Sequence, residues 1–177
     1  SIAIGYSSGV GQGSSAISIG LNAGQTGQGS SAIAIGSGAG NNAQNINAVA
    51  VGYNAGSTGQ GYGAVSIGGS SAAFGQGENS IAIGSQSGQT SQGMYSIAVG
   101  YRAGYLNQAN YSIILNASTI ALNVASSGFY VSPVRQVTDQ FAYSMAYNPT
   151  TNEIIYTASD TFSDERLKTD IADTTLG

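Results

Sequence analysis

The chain has 177 residues, of which only 7% are charged, and its formal net charge at pH 7 is -4. The four Lys and Arg residues form no cluster, so nucleic acid and anionic membrane surfaces are excluded as partners. The chain has no cysteine and no histidine, which excludes a disulfide scaffold, the ordinary zinc sites and a histidine base. We therefore expect no cofactor and no bound metal. No apolar run approaches the ~20 residues that a membrane-spanning helix needs.

A short apolar unit that ends in glycine recurs through the first two thirds of the chain. Its clearest copy is Ser80 to Gly84, SIAIG, and successive copies lie 16 residues apart, after one step of 15. A second glycine and then a glutamine follow each copy in the same phase, with isolated exceptions. A period this short predicts one solenoid coil per repeat. Because Ser1 lies inside a repeat, we expect the chain to be a piece of a longer protein. The closing residues are Gly5, Gly20, Gly36, Gly52, Gly68, Gly84, Gly100 and Asn116.

Each unit alternates branched and small residues, which is the period-two pattern of a strand with two unlike faces. We predict that Ile81 and Ile83 fill the interior of the coil and that Ala82 points outward. The closing Gly84 permits a sharp bend, and the other glycine corners leave room for one further extended segment per coil. Two buried branched side chains offset only part of the ordering entropy of a coil, so single rolls are expected to associate through the Ala/Ser face.

Two other interpretations of the repeat fit the pattern less well. A disordered, low-complexity segment would also be rich in Gly, Ser and Gln, but disorder does not require three landmarks in one phase. A calcium-binding roll needs an aspartate in every coil, and residues 1–134 contain none. The repeat therefore favours a folded roll without calcium.

The SIAIG strand resembles the head repeat of YadA-type trimeric adhesins, and the resemblance covers residues 1–116. It implies a left-handed parallel β-roll that associates as a homotrimer. The coils here have 16 residues, whereas the common repeat of that family is shorter, so loop geometry does not transfer. Similar repeats with Ala-Gly and Gln-Gly corners occur in viral fibre proteins.

After Asn116 the period is lost, and residues 117–162 are predicted to form a β-rich neck. Residues 119–124 and 128–134 have the composition of extended segments. Alternating apolar residues on both sides of a turn at 148–152 predict a β-hairpin. Its aromatic face is expected to belong to a trimer core rather than to a ligand platform.

Two surface features follow from the repeat. The corner position after each closing glycine includes Tyr6, Tyr53 and Tyr101, and tyrosine can anchor a binding partner at low entropic cost. Packing between loop corners is the simpler explanation of the same residues. Asn110 and Asn116 each begin a sequence that matches the N-glycosylation pattern.

The final segment, residues 163–177, begins Ser-Asp-Glu-Arg-Leu-Lys. A serine becomes a nucleophile when a desolvated lysine serves as its base, but Ser163 is also a good N-cap for a charged helix. The motif resembles the opening of the intramolecular chaperone domain of endosialidase tailspikes and other phage fibres. The resemblance implies chaperone-assisted trimerisation and one self-cleavage between Phe162 and Ser163, with Ser163 and Lys168 as the catalytic pair.

Together, the roll repeat and the chaperone-like segment predict a structural, homotrimeric fibre segment of a virus or phage. It would lie at the virion surface as an extracellular stalk or shaft that meets a host receptor or glycan. We do not expect an enzyme beyond the single self-cleavage. The alternatives are the head of a bacterial trimeric autotransporter adhesin, against which the lack of heptads after Asn116 counts, and a self-cleaving enzyme with the rolls as passenger.

Overall fold

The computed structural model describes residues 1–135 and 143–158 of the chain. Every regular element in these residues is a β-strand, which confirms the prediction of an all-β fold. The chain divides into two compact units, Ser1–Val134 and Arg135–Gly177. Within the described ranges no helix is long and apolar enough to cross a membrane.

The first unit is a parallel β-solenoid of about eight turns, with coils of about 16 residues, as the repeat predicts. Strands are numbered in chain order. One strand of each coil joins a nine-stranded sheet made of β1 (Ile2–Ile4), β2 (Ile17–Ile19), β3 (Ile33–Ile35), β5 (Val49–Val51), β7 (Val65–Ile67), β9 (Ile81–Ile83), β11 (Ile97–Gly100), β12 (Ser112–Asn116) and β13 (Gly128–Ser132). The predicted second segment forms a four-stranded sheet of β4 (Asn42–Gln44), β6 (Thr58–Gln60), β8 (Phe74–Gln76) and β10 (Thr90–Gln92).

The glycine that closes each repeat strand forms a corner, as predicted. Gly84 has a φ of +124°, which side chains rarely tolerate. The corners also stack directly on one another, since a Cβ built on Gly84 would lie 2.7 Å from the carbonyl oxygen of Gly100. Glycine is therefore required at this position by its backbone angle and by the coil that follows.

The orientation predicted for the repeat strands is wrong. Ala82 is fully buried inside the coil, whereas Ile83 is 38% exposed. In this coil the interior is too narrow for branched side chains, because a Cβ on Gly88 would lie 3.2 Å from the Ala82 Cβ and 2.6 Å from the Gln92 Oε1. The close backbone approach expected at the small face occurs within one coil rather than between chains. The buried inner file is Ser18, Ala34, Ala50, Ser66, Ala82 and Ala98.

The stacking continues after the sequence repeat ends at Asn116. Strand β13 pairs in parallel with β12 and places Ser132 beside Asn116. The inner file changes there from alanine to Ile114 and Tyr130, which pack with Val124 in one apolar cluster. Larger side chains therefore fill the interior at the last coil.

Of the two extended segments predicted after the repeat, one is a strand and one is not. Gly128–Ser132 forms β13, within the predicted 128–134. The prediction for 119–124 is wrong, because that segment forms no strand: it has bends at residues 119 and 120 and one isolated bridge, from Leu122 to Ala103. The segment is attached to the preceding coil by separate hydrogen bonds, such as those from the Gly104 N–H to the Leu122 carbonyl at 2.8 Å and from the Ala109 N–H to the Val124 carbonyl at 3.1 Å, rather than by a strand ladder.

The second unit contains the predicted β-hairpin. Strands β14 (Tyr143–Asn148) and β15 (Glu153–Ala158) pair antiparallel. The Asn148 Oδ1 accepts hydrogen bonds from the backbone N–H groups of Thr150 at 2.9 Å and Thr151 at 3.3 Å, which closes the turn. Met145 and Tyr147 are exposed on β14.

Candidate functional site

The predicted catalytic pair, Ser163 and Lys168, and the predicted cleavage point after Phe162 lie outside the described residues, so self-cleavage stays a prediction. In residues 1–135 and 143–158 no group of three or more His, Cys, Asp or Glu side chains is placed to hold a metal ion. The candidate functional surfaces of the described chain are the outer faces of the roll. Their geometry depends on what fills its interior.

A buried glutamine acts as a strut across the inside of the coil. Gln60 Nε2 donates hydrogen bonds to the carbonyl oxygens of Val49 at 2.7 Å and Ala64 at 3.2 Å. From its sequence neighbours this glutamine is expected at a corner of the coil, and its role as a strut is missed. Its recurrence at the same position of every repeat was the sequence feature that could have indicated a structural role. The same pair of bonds is made by Gln12, Gln28, Gln44, Gln76 and Gln108.

The strut also explains why a second glycine recurs in each repeat. The Oε1 of Gln60 is buried and accepts no hydrogen bond from the described part of the chain. A Cβ built on Gly56 would lie 2.7 Å from that oxygen, so a Cα hydrogen of the glycine points at it. In an earlier coil the Ser18 hydroxyl donates to the Gln28 Oε1 at 2.6 Å. The interior is therefore filled by amides and small side chains, and the branched residues are left outside.

These branched residues form two parallel files on the outer side of the nine-stranded sheet, which we call the apolar ladder. Eight repeat strands at a spacing of about 4.8 Å make it roughly 35 Å long. Monomeric soluble proteins rarely expose a contiguous apolar patch larger than a few hundred Å². The ladder is thus the strongest candidate for a protein interface. Its members are Ile2, Ile4, Ile17, Ile19, Ile33, Ile35, Val49, Val51, Val65, Ile67, Ile81, Ile83, Ile97, Val99, Ile113 and Leu115.

The corner position after each closing glycine carries exposed tyrosines, as the sequence suggests. Tyr53 is 63% exposed, and Tyr6 and Tyr101 are exposed as well. Between Tyr53 and Tyr101 the same position holds Gly69 and Ser85, both also exposed. The stack therefore has a low shelf between two aromatic side chains.

At one end of this shelf lies Arg102. Its guanidinium carbon is 5.1 Å from the ring centroids of both Tyr101 and Tyr105. Its Nε donates a hydrogen bond of 2.7 Å to the Gln86 Oε1, one coil away. Arg102 is half-buried and has a φ of +50°. The equivalent position is Gln86 in the preceding coil and Asn, Gly or Ser in the coils before that. A cationic and aromatic cluster therefore projects from an otherwise uncharged corner.

One of the two asparagines that match the N-glycosylation pattern is buried in the folded chain. Asn116 is 3% exposed, and its Nδ2 donates to the carbonyl oxygens of Tyr101 at 2.7 Å and Ile120 at 2.8 Å. Asn116 therefore fixes the Tyr101 corner and is inaccessible for modification. Asn110 is exposed, and its Oδ1 accepts a hydrogen bond from the Met94 backbone N–H at 2.9 Å.

The chain matches no protein-family model, no curated protein and no solved structure. Its class is defined by the fold: a parallel β-solenoid with an interior of small residues and glutamine struts. What the solenoid does must be argued from its two outward features, the apolar ladder and the cluster around Arg102.

Proposed function

We propose that this chain is a structural segment of a homotrimeric fibre of a virus or phage, in which three left-handed rolls meet through their apolar ladders. The single observation that carries the proposal is the exposure of the ladder while alanine is buried. Ile35, Ile67 and Ile83 all remain exposed in one chain. Side chains of this kind gain about 25 cal/mol for each Å² of apolar surface removed from water.

The burial inside one roll supports the need for association. The main interior cluster of the repeat region is composed of alanine alone: Ala23, Ala34, Ala39, Ala50 and Ala55. The largest fully buried side chain in the described chain is that of Ile114, at the end of the roll. Since the branched side chains lie outside this interior, contact between ladders would supply the apolar burial that a single roll lacks.

A closed cyclic assembly buries the ladder of every copy and leaves none open for further growth. The resemblance of the repeat to trimeric adhesin heads supports three copies and a left-handed coil. The hairpin, with Met145 and Tyr147 exposed, would continue the trimer as a neck. In this proposal the fibre lies at the virion surface as a stalk or host-receptor-binding shaft. The same ladder would serve the head of a bacterial adhesin. Sequencing the gene beyond Gly177 would distinguish the two, because a soluble chaperone there favours the fibre and membrane strands favour the adhesin.

Charge placed on the ladder should dissociate the trimer. We expect the unmodified chain to sediment at three times its 17.7 kDa mass and the double variant Ile67→Lys, Ile83→Lys to sediment as a monomer, because two ammonium groups per chain would be buried at the axis. Phe74→Lys is the matched control, since Phe74 is also apolar and exposed but lies in the second sheet. Sedimentation of the unmodified chain as a monomer or dimer would contradict the proposal.

Self-cleavage is part of the same proposal and has its own test. We expect the full-length gene product to be cut once between Phe162 and Ser163, with Lys168 as the base for the Ser163 hydroxyl. The Ser163→Ala product should then migrate more slowly on a denaturing gel than the processed chain. Identical mobility of the two products would end the cleavage hypothesis without affecting the roll.

A further inference from the structure

We propose that Arg102, together with Tyr101 and Tyr105, binds the carboxylate of an acidic sugar, a uronic acid within a host-surface glycan. The inference rests on the proposed function, in which the fibre meets a host surface, and it specifies the chemical class of the ligand. The cluster has the three properties that such a site needs. These are an unpaired cationic fork, a fixed geometry and room for a sugar chain beside it.

The charge of Arg102 has no acidic partner within the roll. It is the sole basic residue among residues 1–134, and the sole acidic residue there, Glu78, lies at a different corner, between β8 and β9. In the described chain the Arg102 side chain donates one hydrogen bond, from Nε to the neutral amide of Gln86. The terminal nitrogen atoms remain available as a planar fork that matches the two oxygens of a carboxylate.

The fork is held in place by its surroundings. The rings of Tyr101 and Tyr105, each 5.1 Å from the guanidinium carbon, attract the cation and restrict its rotation. The corner backbone is tied to the following coil, since the Leu122 N–H donates to the Arg102 carbonyl at 3.2 Å. Because these groups are ordered before a ligand arrives, binding loses little side-chain entropy.

Space for a sugar chain lies beside the cluster. Gly69 and Ser85 form the shelf between Tyr53 and Tyr101, and a Cβ built on Gly69 would meet no atom within 4 Å. The two tyrosines are three coils apart, which is about 14 Å at the usual strand spacing. Their rings offer apolar faces to sugar rings, while the Ser85 hydroxyl can donate to and accept from sugar hydroxyls.

The backbone at this corner argues against an acidic peptide as the ligand. One common mode of peptide binding adds an extended strand through unpaired main-chain groups at a sheet edge. Here the Arg102 N–H already donates to the Ser85 carbonyl at 3.1 Å, and the Gln86 N–H donates to the Gly69 carbonyl at 2.9 Å. A peptide cannot add to the shelf as a strand through these two N–H groups, so recognition there depends on side chains, and the hydroxyls of Ser85 and the tyrosines suit a hydroxyl-rich ligand.

The test compares two disaccharides that differ by one carboxylate: cellobiose, and the same disaccharide with glucuronic acid in place of the terminal glucose. Calorimetric or NMR titration of the assembled chain should show tighter binding of the glucuronate disaccharide by about tenfold or more. Arg102→Gln should abolish this preference. Arg102→Lys should retain part of it, because the charge remains and the fork is lost. Tyr111→Ala, at another exposed corner, should leave binding unchanged.

Equal binding of the two disaccharides, or an unchanged preference in Arg102→Gln, would overturn the proposal. Acetate or a glutamate-rich peptide that bound as tightly as the glucuronate disaccharide would overturn it too, by showing a general anion or peptide site. Sedimentation of the same samples separates this inference from the trimer. If the chain is a trimer but does not prefer the glucuronate disaccharide, only the sugar site is refuted. If the chain is a monomer and still shows this preference, only the trimer is refuted.

Discussion

Replacing Gly84 with alanine is expected to destabilise the roll by several kcal/mol, enough to unwind the coils around β9 and β11. Two costs act together. The φ of +124° lies in a region that residues with a Cβ rarely adopt, and the new methyl group would lie 2.7 Å from the Gly100 carbonyl oxygen. Relaxation is limited because the preceding corner is equally close: a Cβ on Gly68 would lie 2.8 Å from the Gly84 carbonyl carbon.

Gly69→Ala is the matched control for this substitution. It adds the same methyl group one residue after a closing glycine, but a Cβ there meets no atom within 4 Å. Gly69 does not have a positive φ, so we expect a change below about 1 kcal/mol, in the stabilising direction. Urea unfolding followed by circular dichroism, at equal chain concentrations because association contributes to stability, measures both. Equal midpoints for the two variants would contradict the stacked-corner structure.

Replacing Ala82 with leucine is expected to lower the free energy of unfolding by about 3 kcal/mol through overpacking. Ala82 is fully buried and faces Gly88 and the Gln92 strut, so the larger side chain must displace the strut or push the two sheets apart. Loss of the strut would also remove the 2.8 Å hydrogen bond from the Gln92 Nε2 to the Ile81 carbonyl. The primary defect is therefore unfolding of the roll, and any loss of oligomers follows from it.

Ile83→Leu is the control, because it places a leucine one residue further on, at an outward position. A change of less than about 1.5 kcal/mol is expected there, since the substitution conserves volume and apolar character. Thermal unfolding and sedimentation should be measured on both variants. If Ala82→Leu chains kept full stability but failed to associate, Ala82 would face outward and the observed orientation would be refuted.

The architecture was largely predictable from the repeat. Glycines in constant phase predict corners, and the corner at Gly84 has the positive φ that this requires. The alternation around residues 148–152 predicts a hairpin, and β14 and β15 form it. Both predictions depend on local backbone chemistry, which neighbouring residues determine. The irregular backbone at 119–124 was not predictable in this way, because the composition of this segment is also that of a strand.

The candidate sites were less accessible to sequence reasoning. The exposed tyrosine corner was expected, but Gln86 joins Arg102 only because successive coils stack at the same position. The sequence showed that the glutamine recurs in every repeat but not that it bridges the coil, since its two carbonyl partners lie 4 and 11 residues away, across the coil. Contacts of this kind depend on the shape of the closed coil.

By itself, the sequence determined the period of the solenoid, the places where the coil turns and the existence of two unlike strand faces. Only the tertiary structure decided which face lies inside. A period-two pattern places Ile83 and Ala82 on opposite faces of the strand but does not say which face is buried. Burial of the larger apolar residue is the general expectation. In a coil of about 16 residues that already encloses a glutamine, the interior has room only for Ala or Ser, so the branched residues face outward.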